Sequence, residues 1–197
     1  DKSLPPILGA LRRSEKLHHP SRHLGLVQAS ERENLNIWLN EVANEIENNI
    51  DLSKLKFHNS LLSRSQKPRL KSPGKIIAIA KDKAFSFIYP HMEQDWKLAG
   101  STLVYFSPLA DDPVPKSDFI YLPGGYPELY AGKLAKNKTF LESVRNASKE
   151  INVYGECGGY MVLGETLIDK AGKSHKMLNL LDLVTSIETP KLTLGYL

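Results

Sequence analysis

From residue 75 to residue 163 the sequence alternates short apolar or β-branched runs with stretches of helical spacing, and no other feature limits the fold as tightly. The runs predict strands over 75–80, 102–106, 118–122 and 151–155. The intervening spacing predicts helices over 84–99, 127–135, 139–150 and 158–163, with Gly100 as the glycine that ends the first. Parallel strands need crossover connections and helices supply them. The expected fold is therefore α/β, a mostly parallel open sheet with helices on both faces. Beyond it, 165–168 and 174–178 flank Ala171-Gly172-Lys173 and read as a hairpin. In open α/β sheets the chemistry gathers at the carboxyl ends of the strands. Two glycine-rich turns fall there: Pro123-Gly124-Gly125 and Glu156-Cys157-Gly158-Gly159.

Residues 1–56 read differently. Short strands over 7–11 and 24–27 precede one amphipathic helix over 31–50, on which Leu35, Trp38, Leu39, Val42, Ile46 and Ile50 share a face. Ser30 and Glu33 have the spacing of a capping box. The piece is small for a domain. Between it and the α/β region, 57–74 is rich in Ser, Pro, Gly and Lys and reads as a basic linker. The net charge of +4 is concentrated near it: residues 1–74 hold 12 Lys and Arg against 8 Asp and Glu, and residues 75–197 hold 14 against 14. Lys54, Lys56, Arg64, Lys67, Arg69 and Lys71 follow one another with no acid among them. The stretch has neither interleaved aromatics nor a recognition motif, which argues against a nucleic-acid partner. No apolar run approaches the roughly 20 residues of a membrane-spanning helix, and residues 1–6 do not read as a signal peptide. The single cysteine, Cys157, excludes an internal disulfide and a Cys-rich zinc site and fits a reducing, cytoplasmic setting.

That cysteine lies in a G-x-C-x-G pattern at a strand-to-helix turn, the thiol counterpart of the nucleophile elbow. Small flanking residues are needed because larger ones would collide across the tight turn. The following helix directs its positive end at the sulfur and leaves backbone N–H groups free for an oxyanion. Spacing alone leaves two readings open, a nucleophile and a small buried core residue. Pro123-Gly124-Gly125 likewise reads either as a plain β–α turn or as the second half of an oxyanion hole, with the N–H of Gly125 beside that of Gly158.

The segments YLPGGYPELYA (121–131) and YGECGGYMVL (154–163) closely resemble the cobyrinic acid a,c-diamide synthase family. FIYP (87–90), FSPLAD (106–111) and RHLGL (22–26) extend the resemblance over nearly the whole chain. That family fuses an ATP-dependent, P-loop synthetase domain to a class I glutamine amidotransferase domain. The resemblance implies amidation of the a and c acetate groups of a corrinoid precursor, with ammonia from glutamine and with ATP and Mg²⁺ activating the carboxylates. By position it makes Cys157 the glutaminase nucleophile and Gly125 and Gly158 the oxyanion hole. Gly124, Tyr126 and Glu128 then line the glutamine site. Residues 1–56 become the tail of the synthetase domain, 57–74 a linker and 75–197 most of the amidotransferase domain.

Two family features have no counterpart. Gly172-Lys173-Ser174 imitates the end of a P-loop, but the required earlier glycine would be residue 167, which is Leu. No histidine matches the family's downstream general base. His175 reads as a surface residue, His91 as structural, and His18, His19 and His23 as a cluster without an acid partner, not a metal site. The chain therefore reads as an internal fragment that binds no cofactor itself and is inactive alone, with homo-oligomerisation left open. Alternatives are amidation of another tetrapyrrole such as nickel-sirohydrochlorin, a non-catalytic binding module, and an unrelated α/β cysteine hydrolase whose base is His91 or His175.

Overall fold

The computed structural model describes residues 7–22, 25–55 and 67–189, and the chain divides into two compact units, Asp1–Ser63 and Arg64–Leu197. In the first unit β1 (Ser21–Arg22) and β2 (Gly25–Leu26) pair antiparallel, and α1 runs from Leu35 to Asn49. Arg22 forks onto the Glu31 carboxylate through two bonds of 2.9 and 2.8 Å. Trp38 gathers its neighbours: its Nε1 donates to Lys16 O at 2.9 Å, and the Arg32 guanidinium lies 4.2 Å over its ring. His19 packs beside the same ring, with Nε2 donating to Val27 O at 2.7 Å. No residue of α1 is buried.

Three expectations for this unit change. The segment 7–11 is not a buried strand: Gly9 makes one bridge, to Ile50, and Ile7 is 89% exposed. The strand expected over 24–27 shrinks to Gly25–Leu26, and Leu24 lies outside the described residues, as do His23 and 56–66. The capping box does not form, because Ser30 is itself inside a 3-10 turn, Ala29–Glu31. Asn34 caps α1 instead, in the left-handed region at φ 56° and without a side-chain bond.

The second unit is built on four parallel strands, β3 (Ile76–Ala80), β4 (Thr102–Phe106), β5 (Phe119–Leu122) and β6 (Asn152–Gly155), in spatial order β4-β3-β5-β6. Connecting them are α2 (Pro90–Leu98), α3 (Ala131–Leu134) and α4 (Lys138–Ala147), and α5 (Gly158–Leu163) follows β6. The period-2 alternation of the strands sorts the core into two layers. Ala78, Ala80, Ile120 and Leu122 pack against Leu134, Phe140, Leu141, Val144, Val162 and Leu163. Ile77, Ile79 and Tyr121 face the other way onto Trp96 of α2. Helices thus cover both faces, as the alternation predicts. Gly100, at φ 90°, ends α2 in the conformation glycine tolerates best.

The expected helix over 84–99 starts only at Pro90. Tyr89 precedes that proline and is held extended, and a residue before proline is pushed out of the α region. The backbone of 84–87 instead bonds to the turn after β5. The expected helix over 127–135 is a 3-10 turn, Pro127–Leu129, followed by the single turn of α3. The segment 106–111 is scaffold. Asp82 Oδ2 accepts from Ser107 Oγ at 2.9 Å and Leu109 N at 2.8 Å, and Asn137 Nδ2 donates to Pro108 O at 2.7 Å. Residues of 67–74 bond to this unit: the amides of Arg69 and Leu70 reach Asp95 Oδ2, and Gly74 O accepts from Ser101 Oγ.

Beyond α5, β7 (Thr166–Ile168) and β8 (Ser174–Lys176) form the expected hairpin, and β9 (Val184–Ser186), which the sequence did not suggest, pairs parallel with β7. Arg145 of α4 ties this sheet to the core by donating to the carbonyls of Leu178 and Met177 at 2.9 and 2.7 Å.

Candidate active site

β5 and β6 are neighbours in register, Leu122 opposite Gly155, so the two glycine-rich turns emerge side by side at the carboxyl edge of the sheet. Glu156 N donates back to Leu122 O at 3.2 Å, and Gly159 N donates to Glu156 O at 2.8 Å. Between these bonds Cys157 is held at φ 50° and ψ −116° and serves as the N-cap residue of α5. That conformation costs an L-residue about 1–3 kcal/mol and persists only where its surroundings over-determine it. The result is an exposed thiol at the head of the turn.

The first helical turn sits close to the strands. A Cβ on Gly159 would lie 1.9 Å from Leu122 O, and one on Gly155 would lie 2.8 Å from Gly159 C. Nothing larger than glycine lets α5 approach the sheet this closely.

Gly124 lies against the thiol: a Cβ built there would be 3.1 Å from Cys157 Cβ and 3.4 Å from its Sγ. Phe87 borders the same space, with Cδ2 3.1 Å from that point. Gly125 comes so near Ala84 that a Cβ would meet its carbonyl oxygen at 2.2 Å. The segment 84–87 is sewn to the turn by Tyr126 N donating to Ala84 O and Phe87 N donating to Gly124 O, both at 3.0 Å. On the α5 side, a Cβ on Gly158 would be 3.3 Å from the Gly125 nitrogen. The Gly125 and Gly158 backbones therefore stand next to each other. Gly158 opens α5, so its N–H has no intrahelical acceptor.

Tyr126 and Glu128 are buried in the wall of this turn, and Tyr126 meets Phe87 edge to face at 5.2 Å. The sequence reading includes Phe87 in the resemblance but gives it no part in the site, because 84–99 looks uniformly helical. Tyr121 and Glu156 were passed over too, although both lie inside the quoted segments. The Tyr121 hydroxyl donates to Glu156 Oε1 at 2.7 Å. Burial, with the Glu156 carboxylate beside it, pushes the Tyr121 phenol far above its ordinary range, so it stays protonated.

The two histidines of the second unit have other neighbours. His175 is buried, not on the surface, and its Nε2 bonds to Asp169 Oδ2 at 2.7 Å. The burial follows from strand alternation in β8, which points His175 inward between exposed Ser174 and Lys176. His91 lies beside Tyr89 at 5.7 Å. Among the described residues no hydrogen bond joins Cys157 to a histidine, and no group of three His, Cys, Asp or Glu residues is placed to hold a metal. The Gly172-Lys173-Ser174 segment does not fit a nucleotide phosphate. It closes the β7–β8 hairpin, and the amides of Ala171 and Lys173 already donate to Asp169 Oδ1 at 2.9 and 3.0 Å. No helix is long and apolar enough to cross a membrane among the described residues.

Residues 76–197 match a family described as the CobB/CobQ-like glutamine amidotransferase domain. A Brucella anthropi protein named hydrogenobyrinate a,c-diamide synthase is 48% identical over 200 residues, covering 97% of this chain and 45% of the relative. Proteins of the same name from Rhodobacter capsulatus and Agrobacterium fabrum are 46% and 44% identical over 96% and 97% of this chain, and each is 44% covered. The chain thus spans a little under half the length of these curated relatives.

Proposed function

The chain belongs to the CobB/CobQ-like glutamine amidotransferase domain family, and we propose that it is the glutamine-hydrolysing part of a longer amidoligase. The observation that carries this reading is the strained, exposed Cys157 standing against the Gly124-Gly125 turn at the carboxyl edge of the sheet. In the proposed reaction the Cys157 thiolate attacks the side-chain amide carbon of glutamine. The oxyanion of the tetrahedral intermediate is received by the N–H groups of Gly125 and Gly158. Collapse expels ammonia and leaves a γ-glutamyl thioester. Water then cleaves the thioester to glutamate and restores the thiol. Gly124, Tyr126 and Glu128 shape the glutamine pocket. The proton for the leaving ammonia comes from an imidazole, which we assign to the longer enzyme because no described histidine is hydrogen-bonded to Cys157 and His175 is already bonded to Asp169.

The acceptor reaction is assigned on the relatives' name: amidation of the a and c carboxylates of a corrinoid precursor, hydrogenobyrinate or cobyrinate, in cobalamin biosynthesis. The resemblance implies ATP and Mg²⁺ for activating those carboxylates. Among the described residues the P-loop-like Gly172-Lys173-Ser174 segment is closed onto Asp169, and no group of three His, Cys, Asp or Glu is placed to hold a metal. Residues 1–56 are proposed as the end of the synthetase domain and 57–74 as the join. The reaction uses soluble substrates, which fits the cytoplasm.

A glutamine-like chloroketone tests the glutaminase. It is expected to label Cys157 stoichiometrically in the full-length protein, with protection by glutamine and no labelling of Cys157→Ala. An accessible Cys157 that stays unlabelled overturns the reading. Assay of the full-length enzyme on hydrogenobyrinate, cobyrinate and nickel-sirohydrochlorin tests the acceptor. Turnover of the nickel compound alone defeats the corrinoid assignment.

A further inference from the structure

Of the five residues in the G-x-C-x-G pattern, the one before the cysteine has no steric requirement on it, since the glycines make the close approaches. In this chain it is Glu156, and it is fixed at three points. Its amide donates to Leu122 O on β5, its carbonyl accepts from Gly159 N on α5, and its Oε1 accepts from the Tyr121 hydroxyl on β5 at 2.7 Å. Tyr121 is itself immobilised. It is 1% exposed, sits edge-on to Trp96 at 5.7 Å and stacks with Tyr154 at 5.9 Å. The residue that follows Glu156 is the one at φ 50° and ψ −116°.

A strained backbone persists only where its surroundings over-determine it, and the two backbone bonds of Glu156 leave its side chain free to turn. The side-chain bond to a rigid, buried phenol removes that freedom. Strand alternation makes the geometry possible: Tyr121 pairs with Tyr154 in register, and Glu156, two residues on, lies on the same face of the sheet, within reach of the hydroxyl. A carboxylate next to a thiol that must ionise is otherwise unfavourable, so its presence calls for a function of its own.

We propose that the Tyr121–Glu156 hydrogen bond is a positioning device for Cys157, holding the thiol at the angle from which it attacks the glutamine amide. The proposal rests on the glutaminase reading and specifies how its nucleophile is aimed. Both are positioning residues, acting through the backbone that carries Cys157. What the bond requires of Glu156 is an acceptor oxygen, not a charge. Glutamine at 156 therefore keeps the device, and alanine at 156 or phenylalanine at 121 removes it.

Steady-state glutaminase kinetics of the full-length enzyme, with thermal unfolding of each variant, test it. Glu156→Ala and Tyr121→Phe are each expected to lower kcat about 10- to 100-fold with KM within about twofold, the size of loss that follows sub-ångström misplacement of a reacting group. Glu156→Gln is expected to keep kcat within about threefold of the parent. The double variant Tyr121→Phe/Glu156→Ala is expected to lose no more than the worse single, because one bond accounts for both. A role in stability alone would lower the melting temperature of Tyr121→Phe and leave its kcat at 25 °C intact. That result overturns the proposal, as does a Glu156→Gln enzyme as slow as Glu156→Ala. Full activity in Cys157→Ala would take down the glutaminase reading and this proposal together. An inactive Cys157→Ala beside an unimpaired Tyr121→Phe takes down the positioning device alone.

Discussion

Helices α1 and α4 carry apolar residues at the same period, and their fates differ. On α4, Phe140, Leu141 and Val144 are buried against the sheet, Phe140 completely. On α1 no residue is buried, and Ile37 and Leu39 stand 60% and 47% exposed. Amphipathic spacing states that a face is available. What the face is worth depends on a partner surface, which four strands supply in the second unit. In the described part of the first unit, two two-residue strands and a tryptophan cluster take their place. The second unit therefore holds its shape by area, and the described part of the first by a few specific contacts.

Substitutions can break that contrast. Phe140→Ala is expected to cost about 3–5 kcal/mol, as deletion of a fully buried aromatic ring does, measured by denaturant unfolding of the second unit. Trp38→Ala removes a hydrogen bond and a cation–π contact and is expected to cost the first unit about 1–2 kcal/mol, read from hydrogen exchange of the α1 amides. If Trp38→Ala were as damaging as Phe140→Ala, the first unit would have a core of its own and the contrast would fail. Asp169→Asn sharpens it within the second unit. The bond to His175, and then the Lys173 amide, hold the Asp169 carboxyl below its ordinary value of 3.8. A depressed folded-state pKa adds stability that is present above the ordinary value and lost as pH falls through the folded value. The melting temperature of the parent should therefore exceed that of Asp169→Asn at neutral pH, and the two should converge as the pH drops below 3.8. A constant difference across that range would mean that the ionised carboxylate contributes nothing. Smallest of all, Ile37→Ala should change stability by less than about 0.5 kcal/mol.

β3, β4 and β5 are legible because each is an apolar or β-branched run that a turn follows, β6 because Val153-Tyr154 leads into the glycine turn, and α5 because glycines mark its start. The helix over 84–99 was misread at its front: helical spacing continues through 84–89, and only Pro90 and the bonding demand of the 124–126 turn hold that segment open. Missing β9 has a similar cause. Val184-Thr185-Ser186 is too short to signal by itself and becomes a strand through its pairing with β7. For the site, residue spacing in the chain located Cys157 and both glycine turns. It could not reveal that Phe87 borders the thiol or that Tyr121 reaches Glu156, because those partners are 70 and 35 residues away from the elbow in sequence. His175 reads as a surface residue because polar neighbours hide the inward phase of a three-residue strand.

The close fit at Gly159 has a consequence for how such a chain can change over time. Chemistry-bearing positions can be exchanged when the reaction changes: a thiol for a hydroxyl, or one acceptor for another. The Gly159 position has no such alternative, since any added carbon meets the Leu122 carbonyl whatever reaction the turn supports. Descendants of this fold that abandon the proposed glutamine chemistry should lose Cys157 before they lose the glycine two residues after it. The inert residue would then be the more durable mark of ancestry.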